Sequence, residues 1–354
     1  MSRLPRPSPL DEVASILRGL LGVKQEPRKH LALDGSRADL VFQAPRVAFF
    51  VEWKAVGDAA NVGSAVRQLK EFERGWRGMG RRSRAVVPIV AVPFMGETGR
   101  RLCAEANVSW VDLSGNAWID APGKQIRFLG HRNRFTSGGR PADVFAPRSS
   151  RVIRALLMEP QRAFTQADLA AASGVDKGRV SRLVRRLEAM DLVVRDGRSF
   201  RLKDPMLALD AWREAYDFEK HDVRRGHVAV RDPEELIDKI GRSAVSAGLS
   251  WALTGLAAAW QFTRFAMFRL VTVCVRERPS EDWLGQIGFR EEPRGANLWV
   301  VRPVDDGVFD GASSVDGVPC VHPLQVYLDL KAHPERAAEA AAELRTRLLA
   351  GKAA

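Results

Sequence analysis

Between Arg148 and Lys203 a helical periodicity gives way to a two-residue alternation without a break, and this succession constrains the fold more than any other stretch. Val152, Ile153, Leu156 and Leu157 recur at helical spacing along 151–158, and Glu159-Pro160 closes that helix. Thr165 suits the cap of a second helix, 166–172, because its hydroxyl can accept a backbone N–H that the first turn leaves free. Ser173-Gly174 ends it, since glycine tolerates the left-handed backbone needed between two steeply crossing helices. Asp176 then caps a third helix that runs to about Met190. Val180, Leu183, Val184, Leu187 and Met190 make its apolar face, while Lys177, Arg179, Arg182, Arg185 and Arg186 lie mainly off that face. Next, "LVVRDGRSFRL" alternates around Asp196-Gly197, a strong tight-hairpin signal.

Helix, turn, helix and basic hairpin, in that order, read as a winged helix-turn-helix over residues 148–204. The first half of such a third helix enters the major groove of DNA. Lys177, Arg179, Ser181, Arg182, Arg185 and Arg186 are therefore the expected base and phosphate contacts, and Arg195, Arg198 and Arg201 the phosphate grip of the wing. Charge agrees with this assignment. Residues 1–203 carry a net +16, whereas the remainder carries −4, so the polyanion partner belongs to the first two blocks.

Cys103, Cys274 and Cys320 are too scattered for a disulfide framework or a zinc site, which fits a cytoplasmic protein with buried thiols. The start "MSRLPRPSPLDE" has no apolar core of a signal peptide. The most apolar run, 244–262, contains Ser246, Gly248, Ser250, Thr254, Gly255 and Gln261, and reads as a buried helix with no membrane role.

Residues 1–130 read as an α/β domain: a helix over 11–21, strands "RADLVFQ" and "VAFFVEWKAV", a helix over 61–76, strand "AVVPIVAVPF", a helix over 97–107, and a final strand with a turn at Gly115-Asn116. Glu52 and Lys54 stand two apart on one strand and so share a face; Asp39 begins the strand before. Two carboxylates suit Mg²⁺, and a neighbouring lysine can orient water or stabilise phosphate charge. Gln68 and Phe72, one turn apart on the next helix, are placed to cover the site. The pattern resembles PD-(D/E)XK nucleases, a restriction-endonuclease-like fold. The resemblance implies that Asp39 and Glu52 hold the metal, Lys54 is the catalytic lysine, Gln68 assists, and Glu12 is a further carboxylate. Ala38 replaces the family's usual proline, and Phe72 a common tyrosine. The basic cluster Arg74, Arg77, Arg81, Arg82 and Arg84 suits phosphate binding. The phrase "DLSGNA" is similar to one in regulators that join such a module to a winged helix; by itself it reads as a strand end and turn. Residues 131–147, with Gly138-Gly139 and two prolines, read as a linker.

Residues 205–354 alternate helices and strands, with a helix starting at Asp232-Pro233. "LTGLAAAW … FRLVTVCV" resembles the nucleotidyltransferase fold, but no acid stands on the strand 268–275, so the resemblance implies a domain without catalytic carboxylates. "VPCVHPLQVYLDLKAHPERAAEAAAELRTRLL" resembles the end of AbiEi-type antitoxins, the antitoxin half of type IV toxin–antitoxin pairs, over roughly 148–350. The expectation for the whole is a multidomain α/β DNA-binding regulator and autorepressor, a homodimer on double-stranded DNA, with a cognate toxin as protein partner and no cofactor needed for DNA binding. The alternative is a Mg²⁺-dependent endonuclease that the winged helix targets.

Overall fold

A computed structural model describes residues 8–33, 36–78, 85–135, 143–292 and 294–350. The chain divides into two compact units, Met1–Gly139 and Arg140–Ala354. The linker expected at 131–147 falls across this division, and its residues 136–142, with Gly138-Gly139, lie outside the described residues.

In the first unit α1 (Pro9–Leu21) begins at Ser8, whose side chain accepts from Asp11 N, and ends at Gly22 with φ +70°. Strands β1 (Arg28–Leu33), β2 (Ser36–Gln43) and β3 (Val47–Trp53) lead to α2 (Ala59–Gly78). Then come β4 (Ala85–Val92), α3 (Glu97–Glu105), β5 (Ser109–Asp112), β6 (Ala117–Ala121) and β7 (Lys124–Phe128). The seven strands lie in one sheet in their sequence order. The neighbours β3, β4 and β5 are parallel, and the flanking pairs antiparallel. Alternation along β3 separates two cores. Phe49 and Val51 pack with Leu40, Ile89 and, from α1, Val13 and Leu17. Phe50 joins Phe72 and Trp76 of α2, ring centroids 4.8 and 5.1 Å away and edge-on. Phe72, expected over the site, is thus a core residue instead.

The second unit opens with α4 (Ser150–Met158), β8 (Phe164–Thr165), α5 (Gln166–Ser173), α6 (Lys177–Ala189), β9 (Val193–Asp196) and β10 (Ser199–Leu202). Thr165 and Asp168 form a reciprocal capping box on α5, Gly174 takes φ +63° after it, and Asp176 caps α6. Asp196 pairs with Ser199, so the two hairpin loop residues are Gly197, at φ +59°, and Arg198, one place later than the sequence reading. β8 completes a three-stranded sheet against β10.

After α7 (Pro205–Ala215) come β11 (Asp222–His227), α8 (Pro233–Ala247), β12 (Trp251–Thr254), α9 (Gly255–Thr263), β13 (Val271–Val275), α10 (Glu281–Gln286), β14 (Arg290–Glu291), β15 (Leu298–Arg302), β16 (Ser313–Val315), β17 (Val318–Cys320), α11 (Pro323–Asp329) and α12 (Ala337–Leu344). The sheet order is β14-β11-β15-β13-β12-β17-β16. The apolar run 244–262 is therefore not one helix. Gly248, at φ +63°, stops α8, a buried strand follows, and a new helix starts at Gly255. Among the described residues no helix is long and apolar enough to cross a membrane. The three cysteines are free and buried.

Where β12 turns into α9, buried polar side chains bond to one another. Thr254 Oγ1 donates to Asp329, and Thr272 meets His333 Nε2 at 2.9 Å. His333 Nδ1 lies 2.8 Å from the Asp329 carbonyl, which only accepts, so Nδ1 carries the proton and Nε2 accepts from Thr272. Burial holds this imidazole below the usual histidine range, in keeping with a neutral ring. Gly255 has φ +59°, and a Cβ there would fall 2.2 Å from His333 Nε2. Gly255→Ala is expected to cost about 2 kcal/mol through backbone strain and displacement of His333, read as a lower urea midpoint.

Candidate functional site

Two groups of residues bear on function, one in each unit. In the first, the β2–β3 pairing sets Leu40 opposite Val51, and one step further along are Asp39 and Glu52. Glu52 occupies the carboxyl end of β3, beside parallel β4. Asp39 and Glu52 are 6% and 4% exposed, which makes the site buried rather than a solvated acidic surface. Lys54 Nζ donates to Glu52 Oε1 at 3.0 Å and to Gln68 Oε1 at 2.6 Å. Asp39 Oδ2 accepts from the backbone N–H of Trp53 at 3.0 Å. Asp39, Glu52, Lys54 and Gln68 thus converge. Glu12 is exposed on α1. Sequence reasoning missed His30 and Arg37, each 3.5 Å from Asp39 Oδ1. Arg37 stands two residues before Asp39 on β2, and that spacing was the available signal.

Glu52 Oε2 is buried and has no hydrogen-bond partner among the described residues. Burial and the Asp39 charge push the Glu52 carboxyl above the usual range, against a smaller opposing pull from Lys54. A carboxyl whose folded pKa is raised favours folding while protonated, and that contribution fades as pH rises from the unfolded value through the folded one. Glu52→Gln should therefore remove a loss of stability between mildly acidic and neutral pH. Melting temperatures of both proteins across that range test this, and parallel pH curves would contradict it.

The "DLSGNA" turn follows β5. Asp112 Oδ1 accepts from Asn116 N at 2.9 Å, and Asp112 Oδ2 from Met95 N at 3.1 Å. Asn116 in turn donates to His131 O at 3.1 Å and accepts from His131 N at 2.9 Å. These bonds occupy the polar groups of Asp112 and Asn116 and pin residue 131 to the domain. The basic cluster is partly engaged: Arg77 pairs with Glu73 at 2.6 Å, and Arg74 Nε reaches Lys70 O at 3.4 Å. Arg81, Arg82 and Arg84 lie outside the described residues.

In the second unit α6 buries Val180, Leu183, Val184 and Leu187 and turns Lys177, Arg182, Arg185 and Arg186 to solvent. Ser181 is half-buried. Arg179 is drawn back: its guanidinium donates to Ser149 Oγ at 2.9 Å. On the wing, Arg198 and Arg201 are exposed. Arg195 is also exposed, but Glu188 holds it with two bonds of 3.0 and 3.2 Å, and it lies over the Phe200 ring. The exposed cations of this surface are therefore concentrated on α6 and the hairpin.

A capped helix with a basic outer face, backed by a three-stranded wing, is the head of a DNA-binding regulator. Residues 145–199 match the MarR family, and residues 201–350 match the transcriptional regulators of the AbiEi antitoxin, type IV toxin–antitoxin system. The two matched stretches adjoin in a multidomain α/β chain, and together they support a DNA-binding regulator. No curated protein matches it. Two solved structures are similar over part of the chain. An EndoMS–double-stranded DNA complex is 17% identical, with 32% of this chain and 47% of that one covered and a TM-score of 0.25. A repair endonuclease from Pyrococcus abyssi is 13% identical, with 31% and 49% covered and a TM-score of 0.24. This chain spans about half the length of each.

Proposed function

We propose that the protein is a cytoplasmic autorepressor, which binds its own operator as a homodimer and neutralises a cognate toxin through residues 205–354. The exposed cations of α6 carry the reading, and the match to antitoxin regulators supports it. Lys177, Arg182, Arg185 and Arg186 contact bases and phosphates, with Ser181 beside them. Arg198 and Arg201 hold backbone from the wing. Arg179 and Arg195 reach DNA only after releasing Ser149 and Glu188. Metal ions are not needed for this binding. Gel retardation with DNA from upstream of the gene tests it: affinity should fall linearly on a log–log plot against salt. Absence of salt-dependent retardation would refute it. Co-purification of a nucleotidyltransferase-like toxin encoded nearby tests the partner.

A second reading, a Mg²⁺-dependent DNA endonuclease, is favoured by the unpartnered Glu52 Oε2. Asp39 and Glu52 supply hard oxygen ligands that fit Mg²⁺. The ion would supply Lewis-acid stabilisation of charge building on a scissile phosphate. Lys54, held by Glu52 and Gln68, presents its ammonium group where it can orient water or meet phosphate. Among the described residues no third His, Cys, Asp or Glu joins the pair to make a metal-binding group. Supercoiled plasmid incubated with MgCl₂ or with EDTA separates the readings. Nicking by wild type in Mg²⁺ alone, abolished in both Glu52→Ala and Lys54→Ala, would establish the nuclease. Intact plasmid in every lane would remove it.

A further inference from the structure

A small cleft of about 40 Å³ lies inside the second unit between the winged helix and the domain that follows it. Its walls come from α4, the end of α7, the loop after α7, the 304–308 loop and α11. Trp212 and Val308 form an apolar side, and Lys220 stands among the polar residues.

The buried polar groups of the wall are nearly all satisfied within the chain. Tyr216 OH donates to Asp329 and receives Gln325 Nε2 at 2.9 Å. His221 Nδ1 accepts from Val304 N at 3.1 Å, which leaves Nε2 to donate to Tyr216 OH at 2.7 Å. Ser150 Oγ donates to Pro147 O at 2.7 Å. Asp305 is taken by the Arg151 guanidinium through bonds of 2.7 and 3.0 Å. The exception is Arg154. This residue is 3% exposed and its guanidinium lies 5.0 Å over the Trp212 ring; its Nη2 donates to the neutral Gln325 Oε1, and its Nη1 has no hydrogen-bond partner among the described residues. No carboxylate forms a salt bridge with it among the described residues. Asp310 and Asp329 act on it only through space, and Asp329 is spent on Thr254, Tyr216 and Gln325.

A guanidinium sealed from water without a bonded counter-charge is strongly unfavourable. A water molecule would fill the missing hydrogen bond and leave the charge poorly compensated. An oxyanion would supply both, and guanidinium groups match carboxylate and phosphate oxygens in geometry. We infer that this cleft is a binding site for a small oxyanion, carboxylate or phosphate. Arg154 Nη1 is its anchor, and Lys220 adds a second positive charge at the site. Because α4 carries Arg154, the occupied site bears on the helix that supports the DNA-reading surface.

The test uses the full-length protein without DNA, so its outcome is separate from operator binding. Melting temperature is followed in rising sodium phosphate and sodium acetate, with sodium chloride at matched ionic strength as the reference. At least one oxyanion should raise the melting temperature saturably beyond chloride, as expected for a ligand of the folded state. The rise should disappear in Arg154→Met. Val304→Trp, a change of side chain at an exposed wall position, should also abolish it by blocking the cleft while keeping the Val304 backbone N–H that bonds His221. Equal curves for all three salts in the wild type would overturn the proposal. So would a full-sized rise in Val304→Trp, which would place the anion elsewhere.

Discussion

Asp329→Ala is expected to destabilise the second unit by about 3–5 kcal/mol, seen as a large fall in the urea midpoint of the full chain. The carboxylate is 1% exposed and ends α11 beneath the sheet. It accepts from Thr254, from Tyr216, and from Gln325 at 2.8 Å. Removing it leaves three donors in a space too closed for each to find water, and an unmet buried donor costs about 1–3 kcal/mol. Gln325 also supports Arg154, so the loss spreads toward the winged helix. Asp329→Asn retains one acceptor oxygen and should lose much less. Equal midpoints for the alanine and asparagine variants would mean that the network adds little.

Removing Lys177, Arg182, Arg185 and Arg198 together, all to alanine, should weaken operator binding by about 10³-fold or more, since each side chain that meets a base or phosphate contributes on the order of 1–3 kcal/mol. All four side chains are exposed, and none belongs to the apolar face that packs α6. The fold should survive with an unchanged melting temperature. The slope of log affinity against log salt should also shrink, by about 0.9 for each phosphate that is no longer neutralised. Arg182→Ala alone is the finer probe. A base-reading role predicts relaxed preference at one operator position, whereas a phosphate role predicts uniform weakening on every sequence. An unchanged slope in the fourfold variant would take DNA off this face.

Where patterning was strong, the elements were legible. The caps Thr165, Asp176 and Asp232 each start the helix that their side chains predict. Continuous apolar runs marked β2 and β3, because both faces of that sheet are covered. Edge strands carried too little signal. β1 opens with Arg28, Lys29 and His30, and only Ile126 is buried in β7, so neither shows a clear apolar period. β8 is two residues long and exists only through its pairing with β10. The 244–262 run shows that an apolar stretch does not reveal where Gly248 breaks it.

The site followed the same division. Strand parity made Glu52 and Lys54 legible as a pair, whereas the approach of Asp39 and Gln68 to them depends on how β2 and α2 pack. His30 was not legible, since β1 was not. The pairing of Arg195 with Glu188 joins helix to wing, and no spacing rule predicts it. Pocket walls drawn from 145 to 325 leave no local trace in the sequence.

The joint between head and body limits how this architecture can be recombined. Arg151 grips Asp305, and Arg154 reaches Gln325, from the first helix of the head across more than 150 positions of sequence. A chimera made by swapping residues 148–203 would inherit a different residue facing Gln325, or an arginine with nothing to meet. Changing the operator preference of such a regulator should therefore succeed by altering a few side chains on the outer face of α6, while wholesale transplantation of the head should yield insoluble protein unless positions 305 and 325 travel with it.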